Sequence, residues 1–211
     1  MSTAASTAGR GGRPAELPTV RGRRTRAAID TAARTVIARK GVLATTIADI
    51  AAEAGRSAAS FYNYYDSKEA MVRQWALRFR DEANERALSV TGHGLSDRER
   101  AHAAASAHWH TYRNRLAEVI SVSQLAMVNG DFARYWAEIC EIPISFIADS
   151  VRRAQAQGYC LDDDPRLLAE AIVAMFNQFC YLQLSGTRAA EPDDRACIQT
   201  LANIYYRAIY A

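Results

Sequence analysis

The stretch from Thr45 to Met71, TTIADIAAEAGRSAASFYNYYDSKEAM, starts three helices and ends two of them, and no other part of the chain confines the fold so tightly. Thr46 stands three residues before Asp49, so its hydroxyl can cap a helix whose carboxylate reaches back to the cap amide. Ile47, Ile50, Ala51 and Ala54 recur at three- and four-residue intervals as one apolar stripe, and Gly55 can take the left-handed geometry that closes it. Ser57 is placed to cap a second helix, with Ala58, Phe61 and Tyr65 on its expected buried side. Asp66 or Ser67 caps the next helix, with Glu69 near its third position and Lys68 at its positive end. Two short helices turned about a glycine and backed by further helices are the layout of a helix-turn-helix.

On the second short helix Ala59, Ser60, Tyr62, Asn63 and Tyr64 are expected to face outward. Exposed helix faces normally carry Lys and Glu, and this one carries no charge. A helix admitted to a DNA major groove needs small residues where backbones approach, hydrogen-bonding tips for base edges and phosphates, and no carboxylates. These five residues meet that description. Thr46, Ser57 and Lys68 are the expected phosphate contacts, through hydroxyls and a helix N-terminus, and Arg56 in the turn either adds one or points into water. For Tyr64 the competing reading is partial burial; for Phe61 and Tyr65 core packing leads.

The spacing Thr-Thr-Ile-x-x-Ile-Ala-x-x-Ala-Gly-x-Ser-x-x-x-Phe-Tyr-x-Tyr-Tyr-x-Ser-Lys-Glu-Ala resembles the TetR family of transcriptional repressors. The resemblance runs from about Thr25 to Trp75, and beyond it the chain is similar only in its order of helices. Arg56 departs from the pattern, because the family commonly has an apolar residue in the turn. The resemblance implies an all-α homodimer that binds double-stranded DNA, with the last two helices of each subunit forming a four-helix bundle.

Charge is divided along the chain. Residues 1–90 hold 15 Lys and Arg against 9 Asp and Glu, whereas residues 91–211 hold 11 against 14. The basic excess therefore sits beside the helix-turn-helix, where a phosphate-facing surface needs it. No run approaches the ~18 consecutive apolar residues of a membrane span, and the N-terminus lacks the apolar core of a secretory signal, so the expected compartment is the cytoplasm. Cys140, Cys160, Cys180 and Cys197 are too far apart for a zinc site or a small disulfide framework, and His108 and His110 lie on opposite sides of any helix. Neither a metal nor another cofactor is expected, and the histidines read as structural or exposed. No G-x-S-x-G, HExxH or P-loop is present, which argues against an enzyme.

In order, residues 1–22 read as a disordered basic tail whose Arg10, Arg13 and Arg21, with Arg23, Arg24 and Arg26 just beyond, are either a minor-groove arm or a solubilising tail. Residues 23–88 read as the DNA-binding domain with its connecting helix, and residues 89–211 as a helical-bundle domain. The first helix is expected from about Thr25 to Lys40. Gly92-His93-Gly94 breaks the connecting helix, after which Ala105, Trp109, Tyr112 and Leu116 share a face, and a further apolar segment runs from Val119 to Val128. A long helical pattern opens at Asp131 and buries Phe132, Tyr135, Trp136, Ile139, Phe146, Ile147 and Val151, with Pro143 expected to kink or split it. Asp164-Pro165 starts a helix that is apolar nearly all round, and a last one follows Pro192.

Two long apolar helices at the end of the chain imply a partner surface, with Phe176, Phe179, Ile198, Leu201 and Tyr205 expected at a two-fold interface. The intervening helices are more than dimerisation requires and argue for a pocket that takes a small, mostly apolar effector. Its expected lining is Trp109, Tyr112, Leu116, Trp136, Ile139, Phe146, Asn177 and Tyr181. Asn177 sits within an apolar helix, where its amide either meets a backbone carbonyl or an interface, or offers the polar contact to the effector. The Phe-Asn-Gln-Phe segment and the terminal Tyr-Arg-Ala-Ile-Tyr resemble the TetR branch that includes the ethionamide-resistance repressor, which implies a tunnel with an asparagine on this helix. The reading is a ligand-responsive repressor; the alternative is a structural DNA-binding protein or an activator without an effector.

Overall fold

The computed structural model describes residues 19–89, 94–186 and 191–210. Among them the chain forms eight helices and no strand: α1 (Val20–Lys40), α2 (Ile47–Glu53), α3 (Ala58–Tyr62), α4 (Lys68–Ser89), α5 (Asp97–Ala126), α6 (Gly130–Gln155), α7 (Pro165–Leu184) and α8 (Asp194–Tyr210). Helix α1 begins upstream of Thr25 because Thr19 caps it, accepting from Gly22 N at 3.1 Å. Its first turns are exposed and arginine-rich, so no apolar stripe signals them. Val20 to Gly22 thus belong to α1, whereas the rest of the expected tail, with Arg10 and Arg13, lies outside the described residues, as do Gly92 and His93 of the expected break.

Ile29, Ala33, Ile37, Val42, Ile50, Phe61, Tyr65, Met71, Val72 and Trp75 are buried and make the amino-terminal core. Ala58 is exposed, contrary to expectation, because it is the first residue of a five-residue helix whose inward face reduces to Phe61. The Tyr65 hydroxyl donates to the buried Asp30 carboxylate at 2.6 Å and accepts from Arg26 Nε at 3.2 Å. Arg26 also lies over the Tyr65 ring and donates to Gln74 at 2.6 Å. These contacts fasten the end of α3 to α1 and α4.

Helix α5 is packed by α1 and α4 on one side and by α6, α7 and α8 on the others. The two sequence segments read before and after Leu116 are one helix, bent at Arg115, whose φ of −132° and ψ of 28° leave the helical region. Helix α6 runs unbroken through Pro143. Its inward stripe is Phe132, Ile139, Ile144, Ile147, Val151 and Ala154; Phe146 falls about a quarter-turn away and is 40% exposed, which corrects its expected burial. Asp164 caps α7 as expected, accepting from Arg166 N and Leu167 N. By length and composition alone α7 could cross a membrane, with a mean hydropathy of 1.3 in its most apolar window, yet Ala169, Ile172, Val173, Phe176 and Cys180 are buried in the protomer.

Tyr65→Phe removes the donor to a buried carboxylate, so urea unfolding is expected to show a loss of about 1–3 kcal/mol. Tyr62→Phe, on an exposed ring, is expected to change stability negligibly in the same measurement.

Candidate nucleic-acid interface and effector site

The α2 cap forms as the sequence implies. Asp49 N donates to Thr46 Oγ1 at 3.1 Å, while Asp49 Oδ2 accepts from Thr46 N at 2.8 Å and from Thr46 Oγ1 at 2.6 Å. Lys40 Nζ reaches the same oxygen at 2.7 Å. These donors hold the Asp49 carboxyl far below the usual carboxylate range, with Lys40 the largest cause and Thr46 next. The Thr46 hydroxyl proton is therefore already directed at Asp49. Ser57 Oγ accepts from Ser60 N at 3.3 Å and lies 3.2 Å from Ser60 Oγ, so the α3 cap ties these two expected contacts together.

Beyond that cap, Ala59, Tyr62 and Asn63 are exposed, Tyr62 by 55%, while Ser60 and Tyr64 are half-buried. Phe61 sits beneath Tyr62, edge to face at 5.9 Å. Arg56 is exposed and its guanidinium donates only to the carbonyl of Gly55 at 3.3 Å. Lys68 has partners the sequence did not suggest: its Nζ donates to the carbonyls of Val42 at 2.6 Å and Thr45 at 2.7 Å, fastening the α1–α2 connection to the start of α4.

The sequence missed a second element of this surface. A Cβ on Gly22 would lie 3.7 Å from the Tyr64 hydroxyl, so the arginine-rich first turns of α1 stand beside α3. Arg21 and Arg24 are exposed there on a helix and not on a free arm, whereas Arg26 is bound to Tyr65 and Gln74. The signal was Thr19, a capping residue just after a proline.

In the carboxy-terminal domain Trp109, Tyr112 and Ile139 are buried, and Leu116, Trp136, Asn177 and Tyr181 are half-buried. Asn177 Nδ2 donates to Cys140 Sγ at 3.8 Å. His108, which the sequence reading set aside, stacks on Tyr112 at 5.3 Å and meets Phe176 edge-on at 5.3 Å. Burial pushes the His108 imidazole down to about 4 against a smaller opposing effect of Asn177. Burial also raises the thiols of Cys140 to about 11 and Cys180 to about 12, and carries the Tyr112 phenol far above its usual range.

Of the residues expected at an interface, Phe176, Leu201, Tyr205 and Ile198 are already buried within the protomer, Phe176 packing against both His108 and Tyr205. Hydrophobicity alone does not separate an intramolecular face from an intermolecular one. Phe179 is half-buried, 6.4 Å from Trp109. The outward stripe of α7 is Leu167, Ala171, Ala174, Gln178 and Leu182, and on α8 Thr200, Ile204 and Ala208 are exposed.

Glu118 joins the two domains. It is buried on α5 beyond the bend, and Arg34 of α1 donates to it at 2.7 Å, with Arg115 at 3.8 Å. Arg34 also lies over the Trp75 ring, 5.0 Å from its centroid. Two turns on, Gln124 Oε1 accepts from Val42 N at 2.9 Å. Gly41 has a φ of 77°, which favours glycine, and a Cβ there would come within 2.8 Å of the end of the Gln124 side chain and push its amide aside.

Residues 29–74 match the family described as bacterial regulatory proteins, tetR family. The HTH-type transcriptional repressor KstR2 of Rhodococcus jostii (strain RHA1) is 27% identical over 148 residues, which cover 64% of this chain and 67% of KstR2. A bacterial regulatory protein in the tetR family from Rhodococcus RHA1 has the same fold, with a TM-score of 0.70 at 18% identity over 88% of this chain and 96% of the other. AibR, solved in complex with isovaleryl coenzyme A and operator DNA, aligns with a TM-score of 0.64 at 20% identity over 86% and 97%. The helix-turn-helix, the family match across it and the repressor relative lead to one conclusion: residues 29–74 are a helix-turn-helix segment of the TetR family of bacterial regulatory proteins.

Proposed function

We propose that the protein is a homodimeric repressor that reads an inverted-repeat operator through α3 and is released by a small, mostly apolar effector bound among α5, α6 and α7. The observation that carries the reading is the uncharged α3 face of Ala59, Tyr62 and Asn63, exposed while Phe61 and Tyr65 anchor the same helix in the core. Tyr62 and Asn63 reach base edges, Ala59 allows close approach, and Ser57, Ser60, Tyr64 and Arg56 contact the sugar-phosphate backbone with the first turns of α1. Lys68 contributes through its third ammonium N–H, since the other two are engaged, and Thr46, whose hydroxyl and amide both donate to Asp49, contributes by holding the start of α2 in place.

The mate packs on the outward stripe of α7 and on Ile204, and two-fold symmetry then spaces the α3 helices roughly 34–36 Å apart or a multiple of it. That AibR was solved with both an acyl coenzyme A and operator DNA supports an effector-responsive reading of the shared fold. The bend at Arg115 separates the aromatic half of α5 from the half that grips α1 through Glu118 and the α1–α2 connection through Gln124. An effector wedged against Trp109 and Tyr112 alters the bend, and α1 follows with α3 attached, so effector and operator favour different dispositions of the same helices.

Binding isotherms on a duplex selected from a random pool by the wild type test the DNA reading. Tyr62→Ala with Asn63→Ala is expected to lose about 1–3 kcal/mol per base contact on the selected site and little on scrambled DNA; equal affinity on the selected site overturns the assignment. Leu182→Arg, exposed in the protomer, is expected to give a folded monomer in sedimentation at micromolar concentration, and an unchanged dimer would refute the α7 interface. Glu118→Gln is expected to cost about 2 kcal/mol, to speed amide exchange in the second half of α1 and to shift operator affinity several-fold; unaltered exchange and affinity would remove α5 from the coupling.

A further inference from the structure

Where α5, α6 and α7 meet lies a polar atom that the protomer does not use. His108 Nε2 is buried without a hydrogen-bond partner, in a ring held between Tyr112 and Phe176. Asn177, the residue that sequence patterning selects as the polar contact, already directs its amide N–H to Cys140 and is hydrogen-bonded to the imidazole, which leaves Nε2 as the atom without a partner. Leaving a buried polar atom unsatisfied costs about 1–3 kcal/mol, which interiors ordinarily offset with a water or a ligand. The next residue, Trp109, repeats the situation with an unpartnered indole Nε1.

The chemistry of what belongs there follows from the surroundings. The His108 imidazole is shifted by burial and by Asn177, and the Tyr112 phenol by burial and the two thiols of Cys180 and Cys140, so among the described residues no charged side chain acts on either ring. A carboxylate, phosphate or ammonium brought against them would lose its hydration with no opposite charge to replace it. A hydroxyl donates and accepts, and therefore satisfies Nε2 whichever ring nitrogen carries the proton. We infer that His108 Nε2 is the specificity-determining contact for the effector, an uncharged and mostly apolar molecule whose hydroxyl meets the imidazole while Asn177 positions the ring. This rests on the effector-responsive reading above and names the class of molecule it takes.

The test uses the full-length dimer and straight-chain primary alcohols from hexanol to dodecanol, with the matched carboxylates and alkyltrimethylammonium ions, read by thermal shift and titration calorimetry. The alcohols are expected to bind and the ions to bind at least ten-fold more weakly. His108→Phe is expected to weaken the alcohols about ten-fold, the worth of one hydrogen bond, and His108→Gln to recover part of that loss. Operator affinity without any probe is measured on each variant, so a folding defect is seen separately, and His108→Gln carries the comparison if His108→Phe misfolds. The inference is overturned if no alcohol binds, if an ion binds as tightly as its alcohol, or if both variants bind alcohols as the wild type does. A wild type that binds alcohols through His108 but keeps its operator affinity unchanged would leave this contact standing and remove the effector-release reading instead.

Discussion

The carboxylate of Glu118 is hidden on the middle helix of the molecule, where Arg34 arrives from α1 to meet it and Arg115 stands one turn before it. An unpaired charge at that depth costs several kcal/mol, so the position of α1 on α5 is set by electrostatics as much as by packing. The Arg34 guanidinium is shared with the face of Trp75, which belongs to the core beneath the helix-turn-helix. This ion pair, with the Gln124–Val42 hydrogen bond, ties the helix-turn-helix to the rest of the chain.

Where the sequence was legible, local chemistry was the reason. The caps at Thr46, Ser57 and Asp164 each place a side-chain oxygen on specific amide hydrogens, and each helix starts where its cap requires. The glycine at 55 and the family spacing from Thr45 to Ala70 carried the DNA-binding surface. Thr19 belongs to the same class of signal, but it was hidden because no apolar stripe follows it.

The carboxy-terminal domain was harder to read for a different reason. Phe176, Ile198, Leu201 and Tyr205 have the composition of an interface and the location of a core, and only the packing of α5 against α7 and α8 separates the two. Phe146 illustrates the complementary error, since a large apolar residue one position from the inward stripe points to the outside. His108 could not be singled out from its spacing to His110, because its interest lies in what the Tyr112 and Phe176 rings enclose.

The whole chain contains two lysines, Lys40 and Lys68, and both ammonium groups hold the helix-turn-helix together from within, one on the Asp49 carboxylate and one on the carbonyls before α2. Apart from the one ammonium N–H that Lys68 keeps free, the positive charge offered to DNA is consequently an arginine charge, delocalised and insensitive to acylation. Any reagent or modifying enzyme that neutralises amines would leave that charge where it is and unfasten the domain that presents it, so lysine chemistry in this protein reports on the integrity of the reading head and not on its grip.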